Sequence, residues 1–269
     1  LNETDMRGSG PTPVGGSGAI GSRSSYREFS PAGPTLPGVV CAWEQRIGAG
    51  GGYVQRVLPD ACADVVVTAG GRAHLVGPTA QAALARLEPG STVRGLRLRP
   101  SAIGPVLGWP ADDLRDADAD LEDVLPPAEA RRLAEQVWGR KPPELRPRRR
   151  PDARVRTALH ALGAVGAPTA SVAGAAEAAG VSERHLRRLV RDATGLDPRE
   201  LQRVMRLQRF LTLADRGPGR SLAELAVQAG YADQAHMSRE VRRMSGLTPK
   251  ALLRERAAGV GVIVPEVSA

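Results

Sequence analysis

Apolar positions follow two different rhythms along the chain. From Tyr26 to about Leu98 they come in short β-branched runs, VVCAWEQRI, YVQRVL, ADVVVT, AHLVG and STVRGLRL, separated by Gly and Pro. Short strands at this spacing predict a small barrel or sandwich. SAIGPVLGW, ADDLRD and PPAEARRLAEQVWG then carry helical spacing, with Pro126 and Pro127 suited to a first turn and Gly139 to a stop. The pattern lapses in RKPPELRPRRRPD, Arg140 to Asp152, whose Pro and Arg content reads as an extended, solvated linker. Beyond it, apolar residues recur every three or four positions, and helices are expected up to about Arg256.

That helical region repeats itself. SVAGAAEAAGVSERHLRRLVRDATGLDP, from Ser171 to Pro198, matches SLAELAVQAGYADQAHMSREVRRMSGLTP, from Ser221 to Pro249. The copies begin fifty residues apart and end fifty-one apart, the extra residue falling just after Gly180 and Gly230. Each copy reads as a short helix of small residues, a Gly able to take positive φ where the chain reverses, and a second helix. This is the grammar of a helix-turn-helix. Leu186, Leu189 and Val190 supply the buried stripe of one second helix, Met237 and Val241 that of the other, and Ser221 with Glu224 has capping-box spacing. Between the copies, Leu201, Val204, Met205, Leu207, Gln208 and Leu211 define a linking helix from Arg199 to Ala214. At the helical rise it extends about 24 Å, enough with the widths of the units to set two recognition helices about one DNA turn apart.

Opposite the first buried stripe stand Arg184, Arg187, Arg188 and Arg191, at offsets of three, four and seven. Like charges so placed repel, and phosphates or guanine edges relieve that cost. The matching face of the second copy carries Ala235, Ser238, Arg239 and Arg242, with Gln234 near the helix start. A solvated charged face is the bland alternative, and the repeat weighs against it. His185 and His236 hold equivalent positions and read as structural or phosphate-facing imidazoles, since neither has a second metal ligand at suitable spacing.

Charge sharpens this picture. Residues 1–145 hold 15 basic and 17 acidic side chains, whereas 146–256 hold 22 and 11, so the net +8 is concentrated in the helical region. Only Lys141 and Lys250 are lysines, a bias that a GC-rich genome explains. Such a bias does not explain why acids thin out where bases are dense. Aromatic residues at 3% are too few for the stacking platforms of single-strand and RNA binders, which leaves duplex DNA as the better acidic partner. Cys41 and Cys62 make neither a disulfide framework nor a CxxC zinc site. With no apolar run of about 18 residues and no leader pattern, a cytoplasmic location is expected, without a membrane partner. Residues 1–25, rich in Gly, Ser and Pro, are expected to be disordered, and Leu1 in place of Met suggests a trimmed, fused or unusually initiated chain.

The region from Ser171 to Arg254 resembles the DNA-binding domain of AraC/XylS-type transcription regulators, above all in LAELAVQAGYADQAHMSREVRRMSGLTP and LQRVMRLQRFLTLA. The resemblance implies two helix-turn-helix subdomains bridged by a long helix. It also implies base contacts near the start of each recognition helix, here Arg184, Arg187 and Arg188, then Gln234, Ala235, Ser238 and Arg239. Met237 replaces a common Phe, and Ala235 cannot donate a hydrogen bond to a base. The first domain, with VLPDACADVVVT, HLVGP and LRLRP, resembles the β-rich, cupin-like N-terminal domains of such regulators, which are taken to sense a small molecule or to mediate self-association.

The expected architecture is therefore multidomain: a tail over 1–25, a β-rich sensor or dimerisation domain over 26–139, a linker over 140–152, an all-α DNA-binding domain over 153–256 and a tail over 257–269. The expected function is sequence-specific transcription regulation without catalysis, cofactor or metal. Its partners are promoter or operator DNA, a small-molecule effector, RNA polymerase and a second copy in a homodimer. The alternative keeps the DNA binding and makes the first domain a ligand-free interaction module. A metal-dependent cupin enzyme is disfavoured because His74 is the sole His before His160, and an alkyl-accepting repair sensor because two isolated cysteines form no zinc cluster.

Overall fold

The computed structural model describes residues 24–29, 38–50, 53–150, 152–163, 170–217, 219–257 and 262–263. The tail expected over 1–25 lies outside them except for its last two residues, and most of 257–269 lies outside as well.

The N-terminal unit contains β1 (Ser25–Phe29), β2 (Val39–Arg46), β3 (Tyr53–Val57), β4 (Ala63–Thr68), β5 (Ala73–Val76), β6 (Ala83–Leu87), β7 (Thr92–Leu98) and β8 (Asp118–Asp120). Six strands form one antiparallel sheet in the order β1-β2-β7-β4-β5-β8, while β3 pairs with β6 in a second sheet. The β-rich expectation holds: of the barrel or sandwich expected, the strands form two sheets that do not close into one among the described residues. Drawing β3 and β6 into their own sheet leaves β1 and β8 as open edges among the described residues. A final strand, β9 (Val262–Ile263), falls in the segment expected to be a tail and pairs parallel with β3.

Strand alternation gives the larger sheet two distinct faces. Val65, Val67, Leu75, Leu96 and Leu98 turn one way and bury against α1 (Ile103–Leu107), α2 (Leu121–Val124) and α3 (Pro127–Trp138). Pro127 occupies the first turn of α3, as its fixed φ favours. The segment after α3 has no helix or strand, yet it is not simply solvated. Leu145 enters this core at 7% exposure, and the Arg148 amide donates to the Pro105 carbonyl at 2.7 Å.

The C-terminal unit comprises α4 (Ala153–Ala161), α5 (Val172–Ala178), α6 (Glu183–Thr194), α7 (Pro198–Arg216), α8 (Leu222–Ala229), α9 (Gln234–Ser245) and α10 (Pro249–Ala257). It has two cores strung on one helix. Leu201 and Val204 of α7 join the core under α4, α5 and α6, whereas Leu207, Phe210 and Leu211 join the core under α8, α9 and α10. Spanning 19 residues, α7 extends beyond the expected Arg199 to Ala214 at both ends, and its start is fixed by the capping box of Asp197 and Glu200 with Pro198 in the first turn.

The loop between β3 and β4 docks on the same helix. Leu58 belongs to the second helical core, Ala61 to the first, and between them the Pro59 carbonyl accepts a hydrogen bond from Gln208 Nε2 at 2.6 Å. The two units therefore share buried surface at the middle of α7.

Candidate nucleic-acid interface

Both helix pairs turn in the same way. Gly180 and Gly230 adopt φ of +65° and +90°, conformations that cost other residues strain. The next amide then reaches back into the preceding helix: Val181 N to Ala176 O at 3.0 Å and Tyr231 N to Ala226 O at 2.9 Å. After the turn the first copy has two residues before its recognition helix and the second has three. This is where the sequence alignment gains its extra position. Ser182 caps α6, accepting from the His185 amide, and Asp233 caps α9, accepting from the His236 amide at 2.6 Å.

The far ends of α6 and α9 repeat as closely. Thr194 and Ser245 are buried, and each hydroxyl donates to a carbonyl one turn earlier, on Val190 and Val241, both at 2.7 Å. Each also accepts the amide two residues on, from Leu196 at 3.2 Å and Leu247 at 3.1 Å. Gly195 and Gly246 then close the helices at φ of +70° and +77°. Sequence reasoning missed these hydroxyls, although Thr-Gly-Leu and Ser-Gly-Leu stand fifty-one residues apart.

With Leu186 and Val190 buried on one side of α6, the arginines emerge on the other, but in two different states. Arg184 and Arg188 are exposed and make no ion pair among the described residues. Arg187 is partly covered and pairs with Asp197 at 3.2 Å and Glu183 at 3.9 Å. Arg191 is held by Asp112, on the 3-10 turn Ala111–Leu114 of the N-terminal unit, through contacts of 2.8 and 3.3 Å.

On α9, Gln234, Ala235, Arg239 and Arg242 are exposed and Ser238 is partly buried. Arg239 and Arg242 make no ion pair among the described residues, whereas Arg243 pairs with Glu240 at 3.5 Å. Glu240 also faces Arg203 at 3.6 Å and Arg206 at 3.9 Å on α7, which ties α9 to the linking helix. His236 stacks edge-on to Tyr231, and its Nδ1 accepts the Ala232 amide at 3.3 Å, a structural use of the ring.

Both recognition helices rest their C-terminal ends on the N-terminal unit. Gly195 packs so closely on Ala111 and Pro78 that a Cβ there would come within 2.7 Å of each. Arg56 donates to the Ser245 carbonyl at 2.8 Å, a cation at a helix C-terminus, and the Ala82 amide donates to the Met244 carbonyl at 2.7 Å. The opposite, N-terminal ends carry the exposed Arg184, Arg188, Gln234 and Ala235. Among the described residues no group of three or more His, Cys, Asp or Glu could hold a metal ion, and no helix is long and apolar enough to cross a membrane.

Two helix-turn-helix units on one shared helix define the class: a tandem DNA-binding domain. Residues 175–255 match the model of a helix-turn-helix domain family, and residues 27–120 match a domain of unknown function, DUF6597. Residues 175–255 thus form a helix-turn-helix domain in both fold and sequence. Among solved structures it is similar to the C-terminal domain of AraT, a response regulator from Geobacillus stearothermophilus, at 20% identity and a TM-score of 0.36 over 45% of this chain and 95% of that one. ToxT from Vibrio cholerae is similar at 11% identity and a TM-score of 0.40, over 86% of this chain and 97% of that one. CdpR from Pseudomonas aeruginosa is similar at 18% identity and a TM-score of 0.32, over 62% and 47%. No curated protein matches the chain.

Proposed function

We propose that the protein is a sequence-specific regulator of transcription that sets α6 and α9 in successive major grooves on one side of duplex DNA. One observation carries this reading. At an offset of fifty-one residues, Arg188 and Arg191 recur as Arg239 and Arg242 on the outer faces of two helices whose inner faces, caps and terminal hydroxyls repeat in the same register. A solvated charged face gives no reason for this recurrence. Arg184, Arg187 and Arg188, with Gln234, Ala235, Ser238 and Arg239, are the residues assigned to base edges. Arg191 and Arg242, a turn further from the helix starts, are assigned to phosphates. Such a protein works in the cytoplasm, at promoter DNA and beside RNA polymerase, without a catalytic step.

The N-terminal unit is assigned the sensing role. Cross-strand pairing puts Cys41, Trp43, Asp64, Val93 and Arg97 on one face of the larger sheet, the face against which Leu87 of the smaller sheet packs. Gln55 shares the inward face of that smaller sheet with Leu87. Gln55 and Arg97 are 1% and 3% exposed, and both amide atoms of Gln55 and Nη1 of Arg97 lack a hydrogen-bond partner among the described residues. Unmet polar groups of this kind support a small polar effector between the sheets. The reading of this unit as a ligand-free dimerisation module draws on Val54 and Leu84, which are 50% and 58% exposed on the outer side of the smaller sheet.

Fluorescence anisotropy of the full chain against duplex and single-stranded DNA tests the main reading. Duplex binding that weakens steeply between about 50 and about 200 mM salt is expected. Equal affinity for both nucleic acids, or none for duplex, contradicts it.

A further inference from the structure

We infer that the acidic segment from Asp112 to Asp120 is an intramolecular competitor of DNA, and that it holds part of the first recognition helix until DNA or a signal displaces it. The inference rests on α6 being a DNA-binding element.

Within ADDLRDADAD, residues 111–120, five aspartates accompany one arginine. Asp113, Asp116, Asp118 and Asp120 are exposed. Asp112 instead turns onto the C-terminal unit and binds Arg191 side-on, Oδ1 to Nε at 3.3 Å and Oδ2 to Nη2 at 2.8 Å. Two acceptors on a planar guanidinium reproduce the geometry with which Arg takes a phosphate, so the same fork cannot serve both at once. Next to this contact, Arg115 grips Glu200 at the start of α7 with two hydrogen bonds of 2.8 and 2.9 Å. Gly195 sits in contact with Ala111, where no Cβ would fit. The acidic segment is therefore pinned in place rather than merely near.

The consequence is a bias on the equilibrium. Binding DNA through Arg191 requires the Asp112 contact to open and brings phosphates up to the exposed Asp113 on the same 3-10 turn. A signal that shifts the 3-10 turn at Ala111–Leu114 relieves both costs, which gives the N-terminal unit a physical means of regulating α6. The ion pair is half-exposed, with Arg191 at 52% and Asp112 at 30%, so the bias is modest.

Three variants of the full chain test the inference: Asp112→Asn, Asp113→Asn and Arg191→Ala, with affinity for one duplex measured by anisotropy at a fixed salt near 150 mM. Asp112→Asn and Asp113→Asn change net charge equally, but Asp113 makes no ion pair among the described residues. Asp112→Asn is expected to tighten binding about threefold to fivefold, and Asp113→Asn by less than half as much. Arg191→Ala is expected to cost more affinity in the Asp112→Asn background than alone, a coupling that a merely structural contact does not produce. Equal effects of the two asparagines, or additivity of Asp112→Asn with Arg191→Ala, overturn the inference while leaving the DNA-binding assignment standing. Absence of duplex binding in every variant and in the parent removes that assignment and the inference with it. Circular dichroism melts of each variant identify any loss of affinity that comes from unfolding.

Discussion

Arg115 and Glu200, 85 residues apart, meet in two parallel hydrogen bonds, Nη1 to Oε2 at 2.8 Å and Nη2 to Oε1 at 2.9 Å, and so join the N-terminal unit to the first turn of α7. The same carboxylate accepts the Asp197 amide at 3.0 Å, completing the α7 capping box. One side chain thus starts the linking helix and fastens it to the N-terminal unit.

This arrangement sets a pH dependence. Hydrogen bonding from Arg115 holds the Glu200 carboxyl below its ordinary value of 4.5, with the Asp197 amide adding to the effect and partial burial opposing it. A carboxyl whose pKa falls on folding contributes stability that is complete above its unfolded value and is lost as pH drops through the folded one. Urea melts below about pH 5 are expected to show a shallower decline in Glu200→Gln than in the parent. Glutamine can still close the capping box, so the comparison isolates the ion pair. Identical slopes would count against this account.

The glycines that end the recognition helices predict unequal costs. Among the described residues Gly246→Ala meets nothing closer than Arg56 Nη1 at 3.6 Å, and it is expected to lose only the positive-φ penalty, about 1 kcal/mol. Gly195→Ala carries that penalty and a clash with the Ala111 carbonyl at 2.7 Å, and a loss of at least about 2 kcal/mol is expected. Thermal melts decide between this order and its reverse.

Two buried hydroxyls predict a matched pair of losses. Thr194→Val and Ser245→Ala each strand the Leu196 or Leu247 amide, and a cost of about 1–3 kcal/mol apiece is expected. Because the sites lie in separate cores, the double variant is expected to lose the sum of the single losses. Marked non-additivity would show that the two units unfold as partners in a way their separate cores do not suggest.

Much of this fold is legible in the sequence where it obeys a period. Alternating ADVVVT and TVRGLRL place Val65, Val67, Leu96 and Leu98 on one buried face, and the spacing of Leu186 and Val190 puts the α6 arginines outside. Contacts between distant segments leave no such trace. Leu58, Ala61 and Pro59 dock on α7 through a five-residue loop whose partners lie about 150 positions away, so nothing local marks the joint. Composition likewise marked Arg140 to Asp152 as solvated, because one buried Leu145 among twelve polar or proline residues carries little weight in a window average. At the candidate interface, helical spacing located all four arginines of α6. It could not show that Arg191 is already paired, since its partner Asp112 lies 79 residues upstream.

Base reading and phosphate binding separate on the exposed arginines. Arg188→Ala and Arg239→Ala are each expected to weaken binding to a selected site by about 1–3 kcal/mol and to random-sequence duplex by much less. Equal losses on both DNAs would reassign these side chains to the phosphate backbone.

Simultaneous use of both units is the central claim, and selection from a random duplex pool at about 150 mM salt addresses it most directly. Two conserved blocks centred about 10–10.5 base pairs apart are expected, with Arg188→Ala relaxing one block and Arg239→Ala the other. A selected site with a single block that answers to both substitutions, or a pool in which no sequence is enriched, would contradict it.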